Sequence, residues 1–516
     1  MNLLYGLRRA RQLYGDQAAI LNNGQTYGQF YDRVVRAGHL LDSLGVARGD
    51  RVAVLMLNSP RYLEIYYATA LTGAVVVPLN IRWSLDEIAF VLNDSGSKAL
   101  VVDDRFAPCR EQLAGKLRTI SAWVYAGDAA CPAGMTAYEQ LPARADAPWP
   151  EPAEDDLVGL FYTSGTTGGP KGVMLTHKNL VANALHTIVS LSITPDWVWV
   201  HSAPMFHMAN GSAMYGLVMS GAKHSFIPAF DPEAFLQAVE RYRVTSALLV
   251  PTMMNMVMNH ANLGRYDTSS LKWVFYGASP MPLDLLRRAI DRFGCKFRQG
   301  YGLTETSPML TVLGHEDHKF DNAEARFTPV KSAGRPIIGV EIRVVDERDN
   351  DAAAGQVGEI IARGANIMKG YWNRPEITAE VLRGGWFHTG DMGTFDERGY
   401  LYILDRKKDM IKTGGENVYS PEVEDVLYAH PAVLEAAVIG VPDEKWGESI
   451  KAVVVVRDGR ELTERELIDY CRSRLTHFKC PASVDFASSL PKGGTGKIQK
   501  AALRERYWKG LAKGVH

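Results

Sequence analysis

Apolar strands alternate with amphipathic helices along much of this sequence, and this alternation restricts the fold more than any other feature. Residues 246–250 and 271–276 form largely apolar runs, whereas residues 282–293 read as a helix that ends at Gly294. A helix between two buried strands usually returns the chain to a parallel neighbouring strand. The alternation therefore predicts an α/β fold in which parallel sheets are covered by helices on both faces.

The chain is long enough to form more than one domain. It has 516 residues, of which 46% are hydrophobic, so large buried cores are expected. Residues 355–402 are dense in β-branched residues and glycine turns, which indicates a smaller β region. We expect a large N-terminal domain over residues 1–404 with layered parallel sheets plus this β region. A hinge at residues 405–408 and a small, mobile C-terminal α+β domain over residues 409–516 should follow.

Composition argues against several classes of protein. The formal net charge of −1 argues against nucleic-acid binding, and the five cysteines lack metal-site spacing, which is typical of reduced cytosolic thiols. The N-terminal apolar segment is too short for a signal peptide. The longest uncharged stretch, residues 65–81, is shorter than the ~20 apolar residues of a membrane span. We therefore expect a cytoplasmic protein without a transmembrane segment, and a homodimer stays open.

A glycine-rich loop follows the predicted buried strand at residues 157–162. The loop combines Ser and Thr hydroxyls with several glycines and ends near a single lysine. Exposed backbone amides, hydroxyl groups and a lysine can together surround phosphate oxygens. The spacing is neither that of a Walker A loop nor that of a dinucleotide-binding loop, and a flexible surface turn is the alternative. The predicted phosphate-binding residues are Thr163, Ser164, Gly165, Thr166, Thr167 and Lys171. The Thr166 hydroxyl is also a candidate metal ligand.

Two further glycine-rich segments follow predicted strands. Gly277 and Ala278 come directly after one strand, and Gly300, Tyr301 and Gly302 come after the next. Ligands of parallel sheets bind beyond the carboxyl ends of the strands, so both segments should line one site. The Tyr301 ring is suited to stack on adenine, and the glycines would let the base approach the backbone. An ordinary core tyrosine is the alternative.

Five segments of the chain, taken together, resemble the motifs of the adenylate-forming superfamily. This superfamily includes acyl- and aryl-CoA synthetases, firefly luciferase and the adenylation domains of peptide synthetases. The segments are residues 162–172, 301–305, 386–391, 405–412 and 491–497, in the order of the family. The resemblance implies activation of a small carboxylic acid by ATP, with Mg²⁺ and with CoA as the acceptor. A carboxylate is already ionised at pH 7, so cations, amides and a metal are expected rather than a general base.

The resemblance also implies roles for individual residues in the adenylation step. It assigns Glu305 to the metal ion and Thr304 to the neighbourhood of the α-phosphate. Asp391 would bind the ribose hydroxyls, and Arg406 would make a second ribose or phosphate contact. Lys497 is the implied clamp for the carboxylate and the α-phosphate. A carboxylate suits Mg²⁺, and a mobile lysine suits developing negative charge. A surface glutamate, a turn-forming aspartate and a solvated lysine are the alternatives.

The second half-reaction needs a thiol that attacks the acyl-adenylate. The resemblance implies that the small domain swings about Lys408 before this step. Glycines beyond the hinge would leave room for a narrow pantetheine channel, and a nearby lysine would serve the thioester step. The residues assigned to this step are Lys412, Gly414, Gly415, Trp446 and Lys479. Ordinary surface roles are the alternative for the last two.

The acid itself is the least constrained part of the prediction. By the resemblance, His207 closes the carboxylate end of the acyl pocket, with a satisfied buried histidine as the alternative. Residues 204–216 and 306–314 contain no Asp, Glu, Lys or Arg, and a charge in a closed pocket would need a partner. We therefore expect an apolar acid, with a medium- or long-chain fatty acid as first choice and an aryl or cinnamate-type acid as the alternative. An acceptor other than CoA and a catalytically silent binding protein also stay open.

Overall fold

The computed structural model describes residues 1–144, 146–163, 169–279, 281–321, 325, 327–492 and 498–508. By its internal packing the chain divides into two compact units. The first contains Met1–Ile342 and Ala362–Phe387, and the second contains Arg343–Ile361 and His388–His516. The expected hinge lies within the second unit, and the domain boundary after residue 404 stays a prediction.

The secondary structure of the described residues consists of helices and mostly short strands. The helices are α1 (Leu3–Tyr14), α2 (Tyr27–Ser43), α3 (Pro60–Thr72), α4 (Leu85–Ser95), α5 (Cys109–Leu113), α6 (His177–Leu191), α7 (Met208–Gly211), α8 (Ala213–Ser220), α9 (Pro232–Tyr242), α10 (Pro251–Met258), α11 (Leu283–Phe293), α12 (Pro375–Val381), α13 (Ser420–Tyr428), α14 (Glu464–Arg472) and α15 (Lys500–Glu505). The strands are β1 (Ala18–Ile20), β2 (Gln25–Thr26), β3 (Arg51–Leu55), β4 (Val75–Pro78), β5 (Ser97–Val102), β6 (Ala122–Tyr125), β7 (Thr136–Ala137), β8 (Leu157–Thr163), β9 (Lys171–Thr176), β10 (Val198–His201), β11 (Lys223–Phe226), β12 (Ser246–Leu248), β13 (Trp273–Gly277), β14 (Lys296–Gly302), β15 (Met309–Leu313), β16 (Arg335–Pro336), β17 (Val340–Val345), β18 (Gly358–Gly364), β19 (Gly370–Tyr371), β20 (Phe387–Phe395), β21 (Leu401–Arg406), β22 (Ile411–Thr413), β23 (Glu416–Val418), β24 (Val433–Asp443), β25 (Gly447–Val456) and β26 (Ser483–Phe486).

The first unit contains a sheet with the strand order β16-β15-β14-β13-β12-β10-β11-β1-β2. The neighbours from β14 to β1 are parallel, whereas β15, β16 and β2 pair in the antiparallel direction. Strand β10 lies between β11 and β12, so the two strands that follow it in the sequence of this sheet are added on opposite sides of it. Such a switch point opens a crevice beyond the carboxyl ends of the strands.

A second sheet of the first unit has the order β19-β9-β8-β4-β3-β5-β6-β7. In the order given, its strands from β8 to β7 are parallel to one another. Strand β9 pairs with β8 in the antiparallel direction, and β19 pairs with β9 in the antiparallel direction. Strand β3, between β4 and β5, is the switch point of this sheet. Residues 52–55 and 75–77 are buried, as expected for parallel strands that are covered on both faces.

Helices bury aromatic side chains on one side of these sheets. Phe30 of α2 and Tyr62, Tyr66 and Tyr67 of α3 are buried in one extended apolar cluster. Ser59 caps α3 by accepting a hydrogen bond from the backbone of Tyr62, and a proline at the first helical position supports this start. These helices therefore fix the loop that joins β3 to α3, which lies at the switch point.

The second unit is smaller and is built on antiparallel strands. Most residues of the sheet β17-β18-β20-β21 belong to it, and so does the sheet β23-β22-β25-β24, to which β26 adds in parallel beside β25. Helices α13, α14 and α15 belong to the same unit. The expected α/β fold, with a large N-terminal parallel-sheet domain and a smaller C-terminal domain, is confirmed. No helix among the described residues has the length and apolar character that a membrane crossing requires.

Candidate active site

The carboxyl ends of the two parallel sheets meet beside Asn58. This residue follows β3, and its Nδ2 donates to the carbonyl oxygens of His201, Ala203 and Ile227 at 3.1, 3.0 and 3.3 Å. The three carbonyls lie at or just beyond the ends of β10 and β11. The switch points of both sheets are therefore adjacent, and this is where α/β proteins bind their ligands.

His207 lies just beyond β10, at the N-terminus of α7. Its Nδ1 accepts a hydrogen bond from the backbone N–H of Ala209 at 3.2 Å, so the proton of the neutral ring lies on Nε2. A Cβ atom on Gly211 would lie 2.5 Å from the carbonyl oxygen of Met205, so a glycine is needed where α7 approaches this turn. An imidazole with its proton on Nε2 can donate a hydrogen bond to a carboxylate, which fits the position at the carboxylate end of the acyl pocket that the resemblance implies for His207.

The predicted adenine-binding glycines lie together at the ends of two adjacent strands. Gly277 pairs with Gly300 in the register of β13 and β14. A Cβ atom at Gly277 would lie 2.2 Å from the carbonyl oxygen of Gly300, and one at Gly302 would lie 1.6 Å from that of Pro308. The backbone segments thus approach one another so closely that side chains are excluded at both positions.

Other predicted nucleotide-binding residues lie at the carboxyl ends of the same two strands. Ala278 follows β13 and has a positive φ of 65°, a conformation that turns the chain sharply. Tyr301 is half-buried and packs against an apolar cluster that includes Leu310 and Ile337. Thr304 begins a short 3-10 turn directly after β14. The segments on the two strand ends are therefore brought together, as the sequence predicts.

Glu305, Tyr371 and Lys171 form one connected group. The Tyr371 hydroxyl donates to Oε1 of Glu305 at 2.8 Å, and Nζ of Lys171 lies 5.7 Å from the centre of the Tyr371 ring. Glu305 is 8% exposed and Tyr371 is 9% exposed. Lys171 is paired with Thr163 in the register of β8 and β9. Tyr371 therefore contacts both the predicted metal ligand, Glu305, and the predicted phosphate-loop lysine, Lys171. No sequence pattern marked Tyr371 as a site residue.

Glu305 also fits the chemistry expected of a magnesium ligand. In the part of the chain that the structure describes, no group of three or more His, Cys, Asp or Glu residues could hold a metal ion. Mg²⁺ usually takes one or two protein carboxylates and completes its shell with phosphate and water oxygens. A single carboxylate that is oriented by a tyrosine hydroxyl fits this ligand set.

In the second unit, Asp391 and Arg406 are partners. They face each other across β20 and β21, and Nε of Arg406 lies 2.6 Å from Oδ1 of Asp391. Asp391 is only 4% exposed, and its backbone N–H donates to Oγ1 of Thr389 at 3.0 Å. The structure thus brings together the two residues that were predicted to contact ribose.

The predicted hinge contains a buried carboxylate. Asp405 accepts hydrogen bonds from the backbone N–H and the hydroxyl of Ser420 at 2.8 and 2.7 Å. Burial raises the pKa of Asp405, whereas burial lowers the pKa of Lys408. Arg504 of α15 donates to the backbone carbonyl of Lys408 at 3.1 Å. The hinge segment is therefore held by α13 and α15 within the second unit.

The residues predicted for the thioester step also cluster in the second unit. Gly414 and Gly415 form the turn between β22 and β23 with positive φ values of 57° and 85°. A Cβ atom on Gly414 would lie 2.8 Å from the ring of Trp446, which is 50% exposed. Lys412 precedes this turn, and its backbone N–H donates to Glu448 at 2.9 Å.

Some predicted site residues have other surroundings or are not described. Lys479 forms an ion pair with Glu422 at 2.7 Å. The predicted residues that lie outside the described part of the chain are Ser164, Gly165, Thr166, Thr167 and Lys497. Their roles remain predictions from the sequence.

Comparisons with known proteins cover nearly the whole chain. Residues 7–372 match the family model described as AMP-binding enzyme, and residues 422–497 match the model of the AMP-binding enzyme C-terminal domain. A feruloyl-CoA synthase of Amycolatopsis sp is 42% identical over 97% of this chain and 98% of the relative. A long-chain-fatty-acid–CoA ligase of Mycobacterium tuberculosis is 37% identical over 93% of each chain. The crystal structure of ATP-bound MatB from Rhodopseudomonas palustris has a TM-score of 0.86 and 33% identity, covering 98% of this chain and 99% of that one.

Proposed function

Because this chain belongs to the family of AMP-binding enzymes and is an AMP-forming acid–CoA ligase, we propose that its acid is an aryl acid of the cinnamate type. The observation that carries this choice is the 42% identity to a feruloyl-CoA synthase over nearly the full length of both chains. The absence of charged residues from segments 204–216 and 306–314 favours an acid with an uncharged tail, which an aryl acid and a fatty acid share, so the choice between them rests on this relative.

In the first step of the proposed reaction, a carboxylate oxygen of the acid bonds to the α-phosphorus of ATP, and pyrophosphate leaves. His207 donates from Nε2 to the carboxylate and orients it for in-line attack. Lys171 and the glycine-rich loop bind the phosphates, and Asp391 with Arg406 holds the ribose. Glu305, oriented by Tyr371, would hold Mg²⁺, which neutralises phosphate charge when it is bound.

In the second step, the thiol of CoA attacks the carbonyl carbon of the acyl-adenylate. The carbon–sulfur bond forms, the bond between the carbonyl carbon and the phosphate oxygen breaks, the thiol proton passes to water, and AMP leaves. We assign Lys412 and the turn at Gly414 and Gly415 to this step, with Trp446 beside the pantetheine arm. The small glycine residues leave the space that the arm needs.

In this proposal Lys497 acts in the first step and not in the second, so its loss separates the two steps. Its ammonium group would stabilise the negative charge that develops at the α-phosphate during adenylation. We expect Lys497→Ala to lose formation of the acyl-adenylate but to convert added acyl-AMP and CoA to acyl-CoA. Full adenylation activity in this variant would refute the role of Lys497.

The experiment that tests the acid is pyrophosphate release with a panel of cinnamate-type, other aryl and fatty acids, each with and without CoA. We expect turnover to require CoA and the highest kcat/KM to occur with a cinnamate-type acid. A higher kcat/KM with a medium- or long-chain fatty acid would refute the aryl proposal. It would support the second candidate, a fatty-acid ligase, which the 37% identical relative favours.

The panel also separates CoA from other acceptors. Pyrophosphate release that stops after one equivalent per enzyme and does not respond to CoA would point to a carrier protein. Tight ATP binding without pyrophosphate release would indicate a silent binding protein. A cytoplasmic location and a homodimer stay predictions.

A further inference from the structure

The turn that presents His207 is held by a buried side chain that comes from the other sheet. Asn58 is 5% exposed, and among the described residues its side chain makes hydrogen bonds only to backbone groups. The backbone N–H of Met205 donates to its Oδ1 at 2.8 Å. An N–H group can only donate, so this bond fixes which end of the amide is oxygen. The Nδ2 group must then face the carbonyls of His201, Ala203 and Ile227.

Asn210 of α7 binds the same turn. Its Nδ2 donates to the carbonyl oxygen of Ala203 at 2.6 Å, the oxygen that Asn58 also reaches. Its Oδ1 lies 3.3 Å from Nε1 of Trp199. Since an indole nitrogen only donates, the amide orientation of Asn210 is also determined. Two asparagines, each with one possible orientation, therefore converge on Ala203, four residues before His207.

A pair of buried histidines supports Asn210. Nδ1 of His201 lies 3.2 Å from Oδ1 of Asn210, which accepts, so Nδ1 of His201 carries the proton. Burial lowers the pKa of His201 to about 3, so its ring is neutral and its Nε2 is an acceptor. Nδ1 of His224, at 3.0 Å, must then donate to it. The remaining Nε2 of His224 is buried without a hydrogen-bond partner among the described residues, as an unprotonated nitrogen can be.

A third side chain reaches the turn from α3. The hydroxyl of Tyr66 donates to the carbonyl oxygen of Met205 at 2.9 Å. Met205 is thus held at both its N–H and its carbonyl group, by Asn58 and Tyr66 respectively. Three side chains, from the loop after β3, from α3 and from α7, therefore bind backbone groups of the turn between β10 and α7.

We propose that Asn58 is a positioning residue for the acid site, because it fixes the 202–206 turn and thereby the place of His207. The inference rests on the role of His207 in the proposed function. Asn58 follows β3 of one sheet and binds carbonyl groups at the ends of β10 and β11 of the other, so it holds the turn before His207 from the neighbouring sheet. A purely structural role would also explain why Asn58 is buried and hydrogen-bonded. It would not predict a selective rise in the KM for the acid when Asn58 is replaced.

The test is a comparison of Michaelis constants in acid-dependent ATP–pyrophosphate exchange, using the full chain. We expect Asn58→Ala to raise the KM for the acid by about 100-fold, since small displacements of a positioning group have effects of this size. The KM for ATP should stay unchanged. Tyr66→Phe removes a single neutral hydrogen bond to the same turn and should raise the KM for the acid by about fivefold. Tyr66→Phe keeps the packing of the ring, so this variant provides the test if Asn58→Ala does not fold.

Asn179→Ala is the matched control. Asn179 is also buried, and its Nδ2 donates to the backbone carbonyls of Ala365 and Ile367 at 2.9 and 2.6 Å. We expect this variant to lose stability while its KM for the acid stays the same. If Asn58→Ala and Tyr66→Phe behave like Asn179→Ala, the positioning role is wrong.

The double variant Asn58→Ala/His207→Ala separates this inference from the proposed function. If Asn58 acts through His207, its loss adds no further change to the KM for the acid once His207 is absent. A rise with His207→Ala but not with Asn58→Ala or Tyr66→Phe refutes only the positioning role. An unchanged KM in His207→Ala refutes the role of His207 itself, and the positioning role fails with it.

Discussion

The hydroxyl of Tyr371 donates a hydrogen bond of 2.8 Å to Oε1 of Glu305, which lies 66 positions earlier in the chain. The same ring lies under Nζ of Lys171 at 5.7 Å. One tyrosine therefore contacts both the candidate metal ligand and the lysine of the phosphate loop. A side chain in this position can orient the carboxylate without touching the nucleotide.

Removal of this hydroxyl should weaken the response to magnesium. In Tyr371→Phe the Glu305 carboxylate loses the bond that orients it, while the ring keeps its packing. We expect the Mg²⁺ concentration for half-maximal pyrophosphate release to rise about tenfold to a hundredfold. Tyr138→Phe is the control, because the Tyr138 hydroxyl donates to the buried Glu64 at 2.8 Å away from the site. An equal shift in both variants would contradict the orienting role of Tyr371.

The close approach of β14 to the following turn should make Gly302 intolerant of any side chain. A Cβ atom would lie 1.6 Å from the carbonyl oxygen of Pro308, so Gly302→Ala must displace the backbone that carries Tyr301. We expect ATP–pyrophosphate exchange to fall about 100-fold or more. Gly264→Ala, where an added Cβ meets no atom within 4 Å, should keep full activity. Wild-type exchange in Gly302→Ala would show that this segment does not form the nucleotide site.

Local signals in the sequence account for most of the fold. The apolar run at residues 157–162 predicts a strand, and β8 spans Leu157–Thr163. Ser84 and Glu87 have the spacing of a capping box, and both capping hydrogen bonds are present at the start of α4. Such features are predictable because the interacting residues are three or four positions apart, or because the pattern repeats with the period of the element.

The site could be predicted only where glycine or charge patterns mark it. The glycines at 277, 300 and 302 follow predicted strands, and the structure places them at the carboxyl ends of the adjacent strands β13 and β14. Asn58 and Tyr371 were missed, because their partners are distant in the sequence. Asn58 binds backbone groups 143 to 169 positions away, and a lone asparagine in a loop gives no local sign of such contacts. Long-range hydrogen bonds of this kind become visible only when the sheets are placed side by side.

An ion pair away from the site, whose carboxylate is buried, should contribute strongly to the stability of the first unit. Arg33 donates from Nε to Oε1 of Glu64 at 2.6 Å and from Nη2 to Oε2 at 3.0 Å, and Glu64 is 1% exposed. Arg33→Met leaves this carboxylate buried without its cation, which costs about 3–5 kcal/mol of unfolding free energy. Urea denaturation followed by tryptophan fluorescence measures the loss.

The double variant Arg33→Met/Glu64→Gln tests the cause of that loss. A neutral amide no longer needs the cation, so we expect most of the lost stability to return. Arg144→Met, which breaks an exposed pair with Asp146, should leave the denaturation midpoint unchanged. If the double variant is no more stable than Arg33→Met, lost packing of the arginine stem is the cause instead.

His177 should make the stability of the first unit depend on pH. Its side chain is 1% exposed, and its Nδ1 accepts a hydrogen bond from the backbone N–H of Leu3 at 3.2 Å, which ties α1 to α6. Burial lowers its pKa from 6.5 to about 4. Above pH 6.5 the ring is neutral in both the folded and the unfolded chain, so it adds no pH dependence. Between pH 6.5 and about 4 only the unfolded chain gains the proton, which favours unfolding.

The pH dependence can be assigned to His177 by comparison with His177→Asn, which keeps an acceptor but does not titrate. We expect the unfolding free energy of the wild type, relative to that of the variant, to be constant above pH 6.5 and to fall by roughly 3 kcal/mol as the pH drops to about 4. His201 and His224 are also buried and neutral, but they titrate equally in both proteins, so the difference isolates His177. Parallel curves over this range would mean that His177 binds its proton equally well in the folded chain, and the tie between α1 and α6 would then not depend on its neutral form.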